Sequence, residues 1–145
     1  MKDPWQLLDI LYQVFDNPMY KPRNGTTYCN LAVYDVLKGY GCKSFPTGLM
    51  ANGMFDYLSS TNLWGGVGID QCQELANKGA LIVASEKGKP HGHICVIRPG
   101  LAKYSTNWKI NAPSVMNVGR ENFISKGLNF AFRDIPKMFI WKENT

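Results

Sequence analysis

The 145-residue chain has no long apolar run; its longest stretches, such as Gly79-Ala80-Leu81-Ile82-Val83-Ala84, fall far short of the roughly 20 residues that cross a bilayer. No membrane span is therefore expected. The first residues, Met1-Lys2-Asp3-Pro4-Trp5-Gln6, include an acid and no apolar leader core, so no cleavable signal peptide is expected among them. Closely spaced cysteines are also missing: Cys29, Cys42, Cys72 and Cys95 lie 13, 30 and 23 positions apart. That spacing excludes a zinc knuckle and a redox CxxC pair. The even count permits disulfides, but a chain this apolar needs no staples and buried free thiols are the commoner state, which leaves the redox compartment open. Runs of basic residues are absent as well. The 16 Lys+Arg exceed the 11 Asp+Glu by a net +5 but are scattered, without the basic and aromatic interleaving of a single-strand groove, so nucleic acid is not an expected partner. The surplus suits an anionic partner or simply a soluble surface. Neither an internal repeat nor a glycine period is present.

What is present is enough apolar sequence for one core. With 45% hydrophobic and 19% charged residues, disorder is excluded and residues 1–145 read as a single domain. Asp3 as N-cap and Pro4 at the first position open an amphipathic helix, with Leu7, Leu8, Leu11, Val14 and Phe15 on one face, ending before Asn17-Pro18. A second helix, capped by Thr26 or Thr27, carries Cys29, Val33, Val36, Leu37 and Tyr40 at helical spacing until Gly39 and Gly41. A third covers about Leu49 to Leu58. A fourth runs from Asp70 to Lys78, with Asp70 and Gln73 in a capping-box arrangement and Gly79 as its stop. Thereafter strands are predicted at Ala80–Ser85, His93–Arg98, Ser114–Val118, Asn129–Arg133 and Lys137–Trp141. A polar loop fills Leu101–Pro113, and a helical piece Glu121–Lys126. Helices first and strands second predicts an α+β domain, N-terminal helices packed on an antiparallel sheet.

Cys29 falls in the first turn of its helix, beside unpaired backbone N–H groups and the positive end of the macrodipole. A thiolate is favoured there. The same N–H groups suit the oxyanion of an acyl-transfer intermediate. The alternative is a core cysteine on the Val33 and Val36 stripe. General bases are scarce, because His91 and His93 are the only histidines. Alternation places His91, His93 and Cys95 on one strand face and Ile94, Val96 and Arg98 on the other. If the histidine face meets the N-terminus of the Cys29 helix, a Cys/His pair results, with His93 favoured because it begins the apolar strand. A surface histidine is the plainer reading. The same trio resembles a partial metal site, but side chains two apart on a strand sit about 7 Å apart and no fourth ligand is evident, so no metal is expected. Asn117, on the next predicted strand, offers an amide oxygen to orient the imidazole, with Ser114, Glu121 and Asn122 as substitutes. Glycosidase chemistry needs two apposed carboxylates, and Asp16, Asp35, Asp56, Glu74 and Glu86 give no such pair.

Thr27-Tyr28-Cys29-Asn30 opening a helix, Gly92-His93-Ile94-Cys95-Val96-Ile97 forming a strand, and a polar residue on the strand after it resemble the papain-like cysteine peptidase/amidase superfamily. The likeness is to its bacterial cell-wall branch, NlpC/P60 and CHAP domains, over about Gly25 to Trp141. It implies a papain-like fold and hydrolysis of amide bonds in peptidoglycan stem peptides, as endopeptidase or amidase, with no cofactor. Cys29 is then the nucleophile, His93 the base and Asn117 the orienter. The chain departs from that branch in lacking Asp-Cys-Ser-Gly around the nucleophile. Arg23 also stands where a papain-type oxyanion Gln is expected, leaving Asn24 or Tyr28 for the second donor. Trp64 is a further substrate-contact candidate, although a lid on the core is the favoured role for it; with Trp108 it would serve sugar stacking in a non-catalytic wall- or polymer-binding module. A cysteine protease acting on proteins is the remaining alternative. The expected partner is peptidoglycan or a peptide, bound by a monomer, with an immunity protein if the chain is a delivered effector. A cytoplasmic location and leaderless export towards the cell wall both fit.

Overall fold

A computed structural model describes residues 2–143. Helix α1 (Pro4–Phe15) starts where the sequence predicts, because Asp3 Oδ1 accepts from Trp5 N at 3.0 Å and Gln6 N at 3.1 Å. Leu7 and Leu11 fill its inner face. Helix α2 (Cys29–Gly39) follows a hairpin turn at Asn24-Gly25, where both residues have positive φ and Arg23 and Thr26 bond each other. The N-cap of α2 is Tyr28, without a side-chain bond, so neither Thr26 nor Thr27 caps it. The far end closes as a Schellman motif: Gly41, at φ 103°, donates to Lys38 O while Cys42 N reaches Leu37 O at 2.9 Å.

Helix α3 spans Ala51–Ser60, and strand β1 (Trp64–Gly66) leads into α4 (Ile69–Asn77). Gly68 is the N-cap of α4 and has no side chain, which corrects the capping box expected of Asp70 and Gln73. Gln73 is used instead for tertiary bonding: its Nε2 donates to Arg98 O at 2.9 Å and its Oε1 accepts from Ser114 N at 2.8 Å. Gly79, at φ 92°, makes the second Schellman stop.

Six strands form one antiparallel sheet in the order β1-β8-β2-β3-β6-β7, comprising β1, β2 (Ile82–Glu86), β3 (His93–Ile97), β6 (Ser114–Asn117), β7 (Phe123–Gly127) and β8 (Lys137–Trp141). The loop expected over Leu101–Pro113 contains a hairpin of β4 (Lys103–Ser105) and β5 (Ile110–Ala112). The helical expectation for Glu121–Lys126 is corrected to β7, because Phe123 and Lys126 pair with Asn117 and Val115 and the ladder overrides local preference. Asn129–Arg133 is no strand either; Leu128–Phe130 forms a 3₁₀ turn that buries Leu128.

Both faces of the sheet are covered. Val83, Ile94, Val96, Met116 and Phe139 pack with Leu7, Leu11, Val33, Val36 and Met54 of α1–α3. Ile82, Ala84, Cys95, Ile97 and Val115 pack on the other side with Cys72 and Ala76 of α4 and with Leu128 and Phe132. Double coverage is why β2 and β3 read as continuous apolar runs. The architecture is α+β, with helices packed on an antiparallel sheet, as the order of elements predicts. Among the described residues no helix is long and apolar enough to cross a membrane.

Candidate active site

Cys29 is the first residue of α2, and the first intrahelical bond is Ala32 N to Tyr28 O. The N–H groups of Cys29, Asn30 and Leu31 therefore precede the ladder and crowd the thiol end of the helix. Burial nevertheless dominates the thiol. Cys29 is only 8% exposed, and desolvation pushes its pKa above 9.0 against the opposing N–H groups of Ile94, Asn30 and Cys29 itself. The expected depressed thiol is thereby corrected: the helix terminus favours the anion, but packing against Ile94 and Val96 outweighs it.

His93 begins β3 and is held on three sides. Its Nε2 lies 2.6 Å from Asn117 Oδ1, and its ring meets Phe132 with centroids 5.0 Å apart. A Cβ placed on the buried Gly119 would come within 3.1 Å of its Cε1. The direction of the Asn117 bond follows from the amide's other half. Asn117 Nδ2 donates to Glu121 O at 2.9 Å, so Oδ1 is the atom facing the ring, and Nε2 must carry the hydrogen. The neutral imidazole then keeps its lone pair on Nδ1. Desolvation lowers the His93 pKa below 6.5, and the Asn117 bond partly restores it. Asn117 itself is buried, at 4% exposure, at the end of β6.

The face that alternation assigns to the histidines is not the one that α2 covers. Helix α2 packs on the Ile94 and Val96 side, whereas His93 packs with Phe132 beside the Cys95 and Ile97 side. Cys29 and His93 instead both line, at the His93 end of β3, a cleft of ≈ 680 Å³ together with Asn117, Gly119 and Phe123. Thiol and imidazole are not hydrogen-bonded to each other there. A second cleft, of ≈ 490 Å³, opens between Asn30, Met50 and Asn52. The two share Gly25, Thr27, Cys29, Pro90, His91 and Gly92 and so form two lobes of one groove, with Cys29 at the junction.

The loops carrying the groove are fixed by asparagines. Asn52 Nδ2 donates to Gly88 O at 2.9 Å while its Oδ1 accepts from Gly88 N at 3.1 Å, which binds the loop before His93 to α3. Asn122 does the same after β6, accepting from Gly119 N and donating to Tyr20 O, each at 3.0 Å. Asn122 and Ser114 are thus structural, and Glu121 enters through its carbonyl. Gly92 is required, because a Cβ there would collide with Glu86 O and Asn52 Oδ1. Composition gives no hint of Asn52, in the first turn of α3, or of Gly119, in the short loop after β6.

Three sequence candidates lie elsewhere. Asn24 is an exposed turn residue at φ 52° and lines neither lobe. Tyr28 is engaged by Arg23, whose guanidinium lies 5.4 Å from the ring centroid. Trp64 is 2% exposed and packs edge-on against Phe45 in the core, remote from the groove, because β1 is the opposite edge strand of the sheet. Trp108 donates its Nε1 to Arg133 O at 3.0 Å and packs against the second core. His91 is exposed and lines both lobes. All four cysteines are free thiols. Among the described residues no group of three or more His, Cys, Asp or Glu is arranged to hold a metal ion.

Compared with known proteins, the chain matches no protein-family model and no curated protein sequence. The functional reading accordingly rests on the groove alone.

Proposed function

We propose that the protein is a cysteine hydrolase of amide bonds with a papain-like arrangement of helix and sheet, acting on peptidoglycan stem peptides as an endopeptidase or amidase. The observation that carries this reading is one groove that holds Cys29 at a helix N-terminus and an imidazole oriented by Asn117. The groove extends on both sides of Cys29, which suits a chain cleaved internally.

Cys29 and His93 are both neutral at rest, since burial raises one pKa and lowers the other. His93 Nδ1 therefore acts as a general base, taking the thiol proton as sulfur attacks the amide carbonyl. The N–H groups at the start of α2 receive the developing oxyanion. The imidazolium returns the proton to the departing amine, and water, activated by the same nitrogen, hydrolyses the thioester.

The test is release of new amino groups from purified peptidoglycan by the wild type, Cys29→Ala and His93→Ala. Release that both substitutions abolish is expected. Release undiminished in Cys29→Ala overturns the reading. Cleavage of a peptide library but not of wall would retain the chemistry and transfer the substrate to proteins. Of the two tryptophans that a non-catalytic binding module would use, Trp64 is in the core and Trp108 is half-buried with its Nε1 donated to Arg133 O.

A further inference from the structure

The two lobes of the groove differ in charge. The lobe toward α3 is lined by Thr26, Thr27, Asn30, Met50 and Asn52 and contains no Lys, Arg, Asp or Glu. The lobe holding His93 is lined also by Lys89, Arg120 and Glu121, so cations outnumber carboxylates there by one. Lys89 and Arg120 are exposed, and neither has a hydrogen bond, ion pair or ring contact among the described residues. Two other arginines do have partners: Arg23 lies over Tyr28, and Arg98 lies over Tyr12 and donates to Ile124 O.

These unpaired cations are not on loose chain. Lys89 lies between Gly88 and Pro90, whose carbonyls both accept from Asn52 Nδ2, at 2.9 and 3.4 Å. Arg120 sits between Gly119, anchored by Asn122, and Glu121, whose carbonyl holds Asn117. Two separately anchored loops thus present positive charge to one lobe, with Phe130, 66% exposed, as an apolar wall beside it.

We infer that Lys89 and Arg120 form an anion-accepting subsite that selects a substrate with a carboxylate on the amine side of the scissile bond. The side follows from the chemistry proposed above, on which this inference rests. The group that protonates the departing amine is His93, and it lines the cationic lobe but not the neutral one. The amine half therefore lies against Lys89 and Arg120, and the acyl half occupies the neutral lobe. Glu121 opposes an anion but is outnumbered, and the flanking His91 and His93 add no negative charge in either protonation state.

The first test compares alkylation of Cys29 by iodoacetate and by iodoacetamide, in which sulfur displaces iodide from an anionic and a neutral reagent of similar size. Peptide mass spectrometry reads the site. The rate ratio of iodoacetate to iodoacetamide is expected to fall about fivefold in Lys89→Gln/Arg120→Gln, and to fall similarly in wild type at high salt. A ratio equal in wild type and variant overturns the subsite. Both substituted residues are exposed, so folding is not at issue. The second test needs no reactive thiol: acetyl-Ala-Glu-amide and acetyl-Ala-Gln-amide are titrated into Cys29→Ala while the Gly119 amide and Arg120 side-chain signals are followed by NMR. A larger shift with the Glu peptide supports the subsite, and equal shifts overturn it. Both reagents are applied above pH 9, where the thiolate forms; were Cys29 unreactive toward both even there, the nucleophile assignment would fail while this titration still decided the subsite.

Discussion

Replacing Asn117 separates its effects on stability, on the imidazole and on rate, and each has a sign fixed by the structure. In Asn117→Ala the 2.6 Å bond to His93 Nε2 is lost, along with the 2.9 Å donation to Glu121 O. A neutral hydrogen bond contributes about 1 kcal/mol net, and an N–H left without a partner in a buried setting costs about 1–2 kcal/mol more. His93 Nε2–H, beneath Phe132, is in that position, whereas the carbonyl of Glu121, an exposed residue, gains water. The expected loss is about 2–3 kcal/mol, which at this chain length lowers the melting temperature by about 6–9 °C. The Asn117 bond raises the His93 pKa, so its removal lets desolvation act unopposed and the pKa falls further. Asn117→Asp does the opposite, because it keeps an acceptor and adds a negative charge that favours imidazolium. Hydrolysis falls about 100-fold in the alanine variant, where the ring loses its orientation. Titration of the His93 Cε1–H signal by NMR reads the pKa without reference to any substrate. Shifts of the same sign in the two variants, or none in either, would refute the assignment of Nε2 as donor and Nδ1 as base.

Alkylation of Cys29 by iodoacetamide is expected to rise only as pH passes the ordinary thiol range, because burial holds the folded pKa above 9.0; a fast plateau at neutral pH would show an ion pair instead. The alkaline limit of stability follows from the same cause. Burial raises the Cys72 thiol from 9.0 to about 12, so stability from this group is whole below 9.0 and is lost as pH rises toward 12. By pH 10 the loss is about 1.4 kcal/mol, and urea melts should show a shallower decline with pH in Cys72→Ala, an equal slope refuting it. Gly119→Ala brings a methyl to 3.1 Å from His93 Cε1, tighter than normal contact, against a ring already tethered by Asn117 and backed by Phe132. It should lower turnover about tenfold with a change in melting temperature of only a few degrees, and an unaltered rate would contradict the tight seat.

The parts of the fold legible in sequence are those specified by local chemistry. Asp3 and Pro4 start α1, and Gly41 and Gly79 end α2 and α4, because caps and positive φ are decided within a few residues. Where a side chain has two competing uses, the local rule fails. Gln73 has the spacing of a capping residue but bonds Arg98 and Ser114 across 25 and 41 positions. Strand β7 is decided by the ladder to β6, and three-residue strands such as β1 are too short to show a period. At the site, the order helix-Cys, strand-His, strand-Asn singles out three residues that the fold gathers around one cleft. Which face of β3 meets α2 is a packing outcome that alternation alone leaves undetermined. Lys89 and Arg120, 31 positions apart, are two scattered cations in the sequence and become neighbours only when β3 and β6 pair.

Burial also determines what kind of cysteine chemistry the groove supports. A thiolate–imidazolium pair needs both charges stabilised beforehand, yet desolvation opposes each of them here, and among the described residues no carboxylate touches His93 to offset it. Asn117 is neutral: it selects a tautomer by geometry without adding the field that would hold a resting imidazolium. The favourable electrostatics are concentrated instead in the N–H groups at the start of α2, which interact with an anion once one forms on sulfur or on the substrate oxygen. Stabilisation that grows as charge develops lowers the barrier, whereas stabilisation already present at rest does not. On the hydrolase mechanism proposed above, a thiol and an imidazole both kept neutral by burial tie proton transfer to occupancy of the groove. An unoccupied Cys29 stays poorly reactive toward adventitious oxidants and electrophiles, since the thiolate is the reactive species. The proposed mechanism predicts that small substrates filling one lobe alone are cleaved slowly even when they bind, because it requires the carbonyl at Cys29 and the departing nitrogen at His93 at once.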